Sequence, residues 1–408
     1  MIIPSRWVST GLMYGVLFYC ALLLVVILHF RTPFPTHLYV IACMVVIALA
    51  INVSAQFQRQ SYKWRENRIL LLSALMLAGW GIWWVQCWYQ WDIVDRTGVS
   101  AQDNTRMLLI QMTFWLIAGF IISQAVVRIY YPSVISLSIL AFAIYLWATN
   151  VDDAFTFNYN EIASSDNLVL SHLDVSDYLV ILFFFAFAIS NQSTKLLCVP
   201  VMAIVLFAAG GRFALIFSFF TIILTQFFSS RAEQSLPAII GSIAAFVALA
   251  IIVDPGNTEA YRMMFEGDIA EDKSVINRII SLKESQTTVG LQFWYGNPRV
   301  IVEQFGSVGA YAHNLFSAYQ YFGFFYFGLL VLVIIMAINN LIRTRKDIHL
   351  RPFDHFRALV LVYAVLGVLV AKYFAFFLLW FAIGLWSKGS TNKPGVQKSQ
   401  ARLGLTRS

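Results

Sequence analysis

The sequence predicts an all-α, polytopic integral membrane protein with about twelve transmembrane helices, and three observations support this fold class. Hydrophobic residues make up 59% of the 408 residues and charged residues only 12%, whereas soluble domains are about a quarter charged. Apolar runs recur along nearly the whole chain, and each covers the roughly 20 residues that a helix needs to cross a bilayer. The 35 phenylalanines and 12 tryptophans would be improbable in a soluble core.

The apolar runs define twelve predicted spans within a single transmembrane domain over residues 1–408. They cover residues 7–30, 37–57, 69–91, 107–127, 131–149, 177–191, 196–210, 212–229, 236–253, 315–342, 356–370 and 373–387. The first run follows only MIIPSR and lacks a small-residue cleavage pattern. We therefore expect it to remain as a span and not to be removed as a signal peptide.

The distribution of charge orients these spans. If the N-terminus is cytoplasmic, the cytoplasmic segments, which include the basic tail 388–408, hold 18 Lys and Arg residues against 4 acidic residues. The opposite face then holds 10 Lys and Arg residues and 17 acidic residues. Because positive residues concentrate on the cytoplasmic side of membrane proteins, the sequence predicts that both termini are cytoplasmic. The pI of ≈ 9.2 reflects this topology and does not indicate nucleic-acid binding.

Cysteines and histidines give no sign of a metal centre or of a disulfide framework. All four cysteines fall inside predicted spans without a CxxC pair, and the six histidines are scattered with no HxxxH spacing. The adjacent acids Asp152 and Asp153 resemble a metal-binding pair, but a solvated acidic lid explains them better. We therefore expect neither a metal nor a cofactor.

Residues 254–314 form the one long extramembrane segment of the predicted topology, between the ninth and tenth spans. Such a loop is usually functional or disordered, and its aromatic and aliphatic content argues against disorder. Its stretch SVINRIISLKES predicts a short amphipathic helix on the membrane surface, with Arg278 at the edge of the apolar face. The stretch LQFWYGNPR predicts an aromatic cluster followed by a turn. The loop closes with His313 and Asn314 at the mouth of the tenth span.

Arg212 lies between two apolar runs, after a pair of glycines. The run 196–229 would measure about 50 Å as one helix, which is too long for one span. We therefore expect the chain to turn near Gly210 and Gly211, so that Arg212 lies at the floor of an outward-facing cavity. A buried guanidinium needs a partner. Either an acid of the outer loops or a bound anionic ligand would serve, and the ligand suits the planar, bidentate geometry of arginine better.

Three motifs in the second half of the chain resemble the O-antigen ligase and O-antigen polymerase superfamily of bacterial envelope glycosyltransferases. They are GGRFAL with Arg212, NRIISLKESQTTVGLQFWYGN with Arg278, and AHNLFSAYQYFGFFYFG with His313 and Asn314. The resemblance covers residues 190–370 by motif and the whole chain by topology. It implies a GT-C-like fold with cytoplasmic termini and one large periplasmic loop late in the chain.

The last motif differs from the ligase pattern in its glycines. In that pattern nine residues separate HN from GxxG, whereas here eight residues separate Asn314 from Gly323, and the next glycine is Gly328. The resemblance therefore leaves both a ligase and a polymerase open.

The resemblance implies a donor glycan carried on undecaprenyl pyrophosphate at the periplasmic face of the bacterial inner membrane. The acceptor would be a sugar hydroxyl of lipid A-core in a ligase, or the terminal sugar of a second lipid-linked glycan in a polymerase. Because pyrophosphate is a good leaving group, Arg212 and Arg278 could stabilise its growing charge without a metal. His313 would act as the base for the acceptor hydroxyl, and Asn314 would orient the imidazole or bind sugar hydroxyls. The lipid tail would lie in the aromatic-rich grooves between spans.

Two further cations are candidates for phosphate contact, Arg262 in the large loop and Lys372 between the last two spans. Structural roles compete with the assigned ones, since His313 would alternatively cap the tenth span and Arg278 would reach the headgroups of membrane lipids. Two other classes are a lipid-linked oligosaccharide transporter or flippase and a scaffold within an envelope-synthesis complex. The span centres are almost free of charge and the two halves show no evident repeat, which favours chemistry at the outer face over transport.

Overall fold

The structure, a computed structural model, is helical along most of the residues that it describes. These are residues 5–28, 67–89, 92–96, 98–123, 131–151, 157, 172–227, 240–241, 244, 291–306, 314–344 and 352–386. The helices with assigned bounds are α1 (Ser5–Leu28), α2 (Asn67–Trp88), α3 (Ala101–Ile122), α4 (Pro132–Asn150), α5 (His172–Ile189), α6 (Gln192–Ala208), α7 (Arg212–Phe227), α8 (Leu291–Tyr295), α9 (Pro298–Phe305), α10 (Ser317–Thr344), α11 (Pro352–Val370) and α12 (Phe377–Trp386). No β-strand forms within these ranges.

Ten of the predicted spans overlap described helices. α2, α3, α4, α10 and α11 are long and apolar enough to cross a membrane, and α1, α5, α6, α7 and α12 contain shorter apolar stretches. Within the described residues the all-helical class that the sequence predicts is therefore confirmed, and the five long apolar helices are compatible with a membrane protein. The predicted span 37–57, nearly all of the span 236–253, most of the loop 254–314 and the tail 388–408 lie outside the described residues. The count of twelve spans stays a prediction.

Most helices begin a few residues away from the start of the predicted span, and two of these differences have a clear cause. α3 starts at Ala101 and not at position 107, because the side-chain oxygen of Ser100 accepts a 3.2 Å hydrogen bond from the backbone N–H of Asp103. α12 starts at Phe377 and not at position 373, because the residues before it form a turn in which the N–H of Phe376 donates to the carbonyl of Tyr373 over 3.0 Å.

Three helices form the centre of the bundle. Every residue of α12 is buried, as is α5 from Val175 to Ile189, and α11 is buried along most of its length. α5 contacts α1, α4, α6, α7 and α11. A helix that is apolar on all sides is stable in this position because each of its faces meets another helix.

α3 and α12 cross with their backbones in contact. A Cβ atom added to Gly119 of α3 would overlap the carbonyl oxygen of Phe381, and one added to Gly384 of α12 would overlap that of Leu116. Trp115 packs beside the crossing, with its ring centroid 5.9 Å from that of Phe381. Small residues let helices approach closely, which favours van der Waals packing in apolar surroundings.

The chain turns at Gly210 and Gly211, as the sequence predicts. α6 ends at Ala208, Gly210 has a φ of 70°, and α7 begins at Arg212. Glycine adopts this left-handed conformation without steric penalty. Gly211 approaches Ser176 so closely that a Cβ atom would overlap the serine hydroxyl. The turn therefore holds the start of α7 beside the start of α5.

Candidate functional site

The ends of α2, α6 and α11 meet the starts of α3, α5, α7, α10 and α12 at one end of the bundle, which we term the site end. Hydrogen bonds or close contacts join these helix termini to one another. The charge distribution predicts that this end faces the periplasm. The predicted site residues that the structure describes all lie here.

A buried ion pair occupies the site end. The ammonium nitrogen of Lys372 lies 2.5 Å from Oδ2 of Asp177, and the hydroxyl of Tyr363 donates a 2.7 Å hydrogen bond to Oδ1 of the same carboxylate. Asp177 is 1% exposed and Lys372 is 7% exposed. Asp177 lies about 8 Å along the axis of α5 from its first residue, so the pair is sunk below the end of the bundle.

The backbone and two aromatic rings position Lys372. The residue lies just past the end of α11, where its N–H donates to the carbonyl of Gly367 over 2.8 Å. Its ammonium nitrogen lies 5.8 Å from the ring centroid of Phe213 and 5.1 Å from that of Phe376. A cation at a helix C-terminus and over aromatic faces is favourable. Phe213 belongs to the first turn of α7, so this cluster reaches the helix that Arg212 begins.

A chain of hydrogen bonds connects the Lys372 loop to the HN motif. The backbone N–H of Phe374 donates to the hydroxyl of Ser317 over 2.9 Å, and that hydroxyl donates to the carbonyl of Asn314 over 2.6 Å. Oδ1 of Asn314 accepts a 3.0 Å hydrogen bond from the N–H of Phe316. Asn314 therefore shapes the start of α10.

Gln86 joins three segments near the same end. Its side-chain nitrogen donates to the carbonyl of Tyr295 over 2.9 Å and to the carbonyl of Tyr321 over 2.6 Å. Gln86 is 1% exposed, and its Oε1 atom has no partner within the described part of the chain. Buried amides normally satisfy both ends. Here the two donated bonds fasten α8 and the start of α10 to the end of α2.

The loop and α10 cross where two glycines face each other. Gly296 and Gly323 have φ values of 67° and 75°. A Cβ atom on Gly296 would overlap the backbone at Tyr321, and one on Gly323 would overlap the backbone at Trp294. Gly323 is the first glycine of the third motif, and its left-handed conformation kinks α10. The N–H of Asn297 then donates to the carbonyl of Gln320 over 2.9 Å, which closes the crossing.

The predicted site residues fall into two groups. The backbone of Arg212 starts α7, Asn314 precedes α10, and Lys372 lies beside Asp177, all at the site end. His313, Arg278 and Arg262 lie outside the described residues, as does the predicted helix SVINRIISLKES. The roles assigned to all six stay predictions.

Sequence analysis missed Asp177, Tyr363 and Gln86. Asp177 carries a weak signal in the sequence, because it is an acid that opens the apolar run YLVILFFFAFAI. Tyr363 and Gln86 sit within apolar spans where tyrosine and glutamine are common enough to give no signal alone. Their partners lie between 186 and 235 positions away along the chain.

Within the described part of the chain, no group of three or more His, Cys, Asp or Glu side chains could hold a metal ion. A cavity of about 430 Å³ between α1, α5 and α4 is lined almost wholly by apolar residues and lies away from the ion pair. At the opposite end, Arg357 pairs with Asp354 over 3.1 Å and stacks 4.8 Å from Trp386, which ties α11 to α12.

Comparisons with known proteins add no family assignment. No family model matches the chain, and neither a characterised protein nor a solved structure matches it. The function must therefore be argued from the residues themselves.

Proposed function

We propose that this protein is an O-antigen ligase-like glycosyltransferase. It moves a glycan from undecaprenyl pyrophosphate to a sugar hydroxyl of lipid A-core at the periplasmic face of the inner membrane. The acceptor oxygen bonds to the anomeric carbon, the bond from that carbon to the pyrophosphate oxygen breaks, and His313 takes the proton of the hydroxyl.

The observation that carries this proposal is the buried Lys372–Asp177 pair at the site end. Ionisable side chains within a membrane bundle are functional positions by default, because burying charge is unfavourable. Arg212 begins α7 at this end, and Asn314 precedes α10 there. Residues from two of the three motifs and a buried cation therefore lie together, which suits a ligand that carries two phosphates.

Each residue has a distinct role in the proposed reaction. Arg212 and Arg278 stabilise the charge that grows on the leaving pyrophosphate, and Lys372 and Arg262 add further phosphate contacts. The Nδ2 group of Asn314 donates to the imidazole of His313 or to a sugar hydroxyl. Pyrophosphate is a good leaving group and needs no acid to protonate it, and the two arginines neutralise the charge that develops on it, so the proposed step needs no metal.

Lipopolysaccharide gel profiles test the activity. A deletion strain is complemented with the wild type, Arg212→Ala or His313→Ala, and each variant is checked for membrane expression. We expect both variants to lose the O-chain from lipid A-core, with lipid-linked polymer accumulating. Arg299→Ala is the matched control, because Arg299 is a partly exposed cation of α9 whose partner is Glu303 at 2.6 Å, and its ladder should match the wild type.

Two other results would change the conclusion. Cores that carry a single repeat unit would identify a polymerase in place of a ligase. Normal ladders from well-expressed Arg212→Ala and His313→Ala proteins would refute the site and the proposed chemistry together.

A further inference from the structure

We infer that Lys372 and Asp177 form an exchangeable anion site. In the resting protein the Asp177 carboxylate neutralises the ammonium of Lys372, and a phosphate of the lipid-linked donor takes its place when the donor binds. The inference rests on the proposed function for the identity of the donor. The chemistry that it requires, recognition of a phosphate or diphosphate, comes from the ion pair itself.

Lys372 has hydrogen-bonding capacity that Asp177 does not use. An ammonium has three N–H donors, and within the described residues Asp177 is the acceptor for one of them. The other donors lie beside the rings of Phe213 and Phe376. These rings favour a cation through their π faces but offer no acceptor oxygen. A phosphate oxygen would supply what the rings lack.

Asp177 can release the lysine without being left unsatisfied. Tyr363 donates to its Oδ1 over 2.7 Å, while Lys372 contacts Oδ2. The hydroxyl bond therefore persists when the ammonium moves away. Loss of the sole partner of a buried carboxylate would be strongly unfavourable, and Tyr363 lowers that penalty.

The geometry allows the lysine side chain to move while its backbone stays fixed. The N–H of Lys372 donates to Gly367, and the N–H of Phe374 donates to Ser317, so both sides of the residue are anchored. The four-carbon stem of lysine is flexible, and its ammonium can turn between acceptors. The anchoring atom of Ser317 also bonds the carbonyl of Asn314, so the backbone of the Lys372 loop is tied to Asn314.

Stability alone does not explain the pair. A buried ion pair is often no more stabilising than apolar residues of similar volume, because both charges must lose water. The rings of Phe213 and Phe376 beside Lys372 are apolar, and an apolar side chain at position 372 would continue their packing. Retention of two opposite charges is therefore better explained by an anionic ligand that needs one of them.

Binding of inorganic pyrophosphate to the purified full-length protein in neutral detergent tests the inference. Asp177→Asn removes the competing carboxylate, so affinity should rise by about tenfold. Lys372→Gln removes the cation, so affinity should fall by about tenfold. The double variant should bind as weakly as Lys372→Gln. Changes of pyrophosphate affinity in opposite directions distinguish this site from a purely structural ion pair. If the pair were only structural, both single variants would fold less stably and bind pyrophosphate more weakly.

The Arg357–Asp354 pair on the same helix provides the matched control. It also joins a buried cation to a carboxylate, at the opposite end of α11. Asp354→Asn should leave pyrophosphate affinity within about twofold of the wild type. Equal tightening in Asp354→Asn and Asp177→Asn would reveal a general effect of net charge and would overturn the inference.

Two further measurements distinguish a lipid headgroup from the donor as the ligand, and the anion site from the ligase activity. If phosphatidylglycerol in nanodiscs displaces pyrophosphate at equal concentration, the site binds lipid headgroups and the donor assignment fails. If pyrophosphate affinity rises in Asp177→Asn and falls in Lys372→Gln, while the Arg212 and His313 variants give normal lipopolysaccharide ladders, the anion site is kept and the ligase is rejected. If the Arg212 and His313 variants lose their ladders but the Asp177 and Lys372 variants bind pyrophosphate like the wild type, the ligase is kept and the anion site is rejected.

Discussion

Gln86 illustrates how one polar side chain can organise an apolar bundle. Its two donated hydrogen bonds satisfy carbonyls of Tyr295 and Tyr321, which belong to α8 and to α10. In water such bonds would add little, but buried carbonyls without partners are costly. Gln86 therefore contributes to stability mainly because its loss would leave the carbonyls of Tyr295 and Tyr321 without this donor.

Replacement of Gln86 by Leu should lower the free energy of unfolding by about 2–4 kcal/mol, because the buried carbonyl of Tyr321 and the half-buried carbonyl of Tyr295 lose a donor. Denaturant unfolding of the purified protein in detergent measures this change. Gln111→Leu is the control, since Gln111 lies partly exposed on α3, and its effect should stay within about 0.5 kcal/mol. Equal stability of the wild type and Gln86→Leu would show that the carbonyls find other donors.

At the residue scale, sequence analysis identified the cation of the buried pair but not its partner. Lys372 stands out as a charge between two apolar runs, so its type and position are informative. The partner Asp177 is 195 positions away, and no periodicity links the two. Side-chain pairing across a bundle depends on how helices rotate against each other, which spacing within one helix does not determine.

At the element scale, bilayer thickness and helix length predicted the α6–α7 turn correctly. One helix over 196–229 would exceed a single span, and the glycine pair marked where the chain could reverse. The α3–α12 crossing gave no comparable signal, because glycines in apolar helices are common. Only the packed structure shows that Gly119 and Gly384 meet.

The α3–α12 crossing should not tolerate even one added methyl group. Gly384→Ala places a Cβ against the carbonyl of Leu116, so the helices must separate and unfolding should become easier by about 2–4 kcal/mol. Gly328→Ala is the control, because a Cβ on Gly328 meets no atom within 4 Å. That variant should be neutral or up to about 1 kcal/mol more stable, since alanine favours helix. Similar destabilisation of both would contradict close backbone contact.

At the scale of the whole molecule, composition and hydropathy predicted a helical membrane protein, charge predicted its orientation, and the described residues are helical with five long apolar helices. Helix positions followed from apolar runs because a bilayer-spanning helix is a local property of the sequence. The assembly of helix termini at the site end was predictable only in outline. The motifs on alternate loops indicated one face, but the ion pair and the glycine crossing arise from tertiary packing.

The predicted orientation can be tested by cysteine labelling of a protein in which Cys20, Cys43, Cys87 and Cys198 are replaced by Ala. We expect Glu303→Cys, near the site end, to react with a membrane-impermeant maleimide in cells with a permeabilised outer membrane. Ser193→Cys, at the opposite end, should react only after the inner membrane is lysed. Both side chains are exposed, so access depends on the side of the membrane. The reverse pattern would invert the topology.

The crossing of Gly296 and Gly323 constrains the residues that lie between the two glycines. The backbone bond from Asn297 to Gln320 brings both ends of the segment 298–319 to one point on the bundle. This segment contains Asn314, which the hydroxyl of Ser317 joins to the loop of Lys372. A substitution at the glycine crossing would therefore displace residues of the candidate site through the backbone, although no side chain of the site is changed.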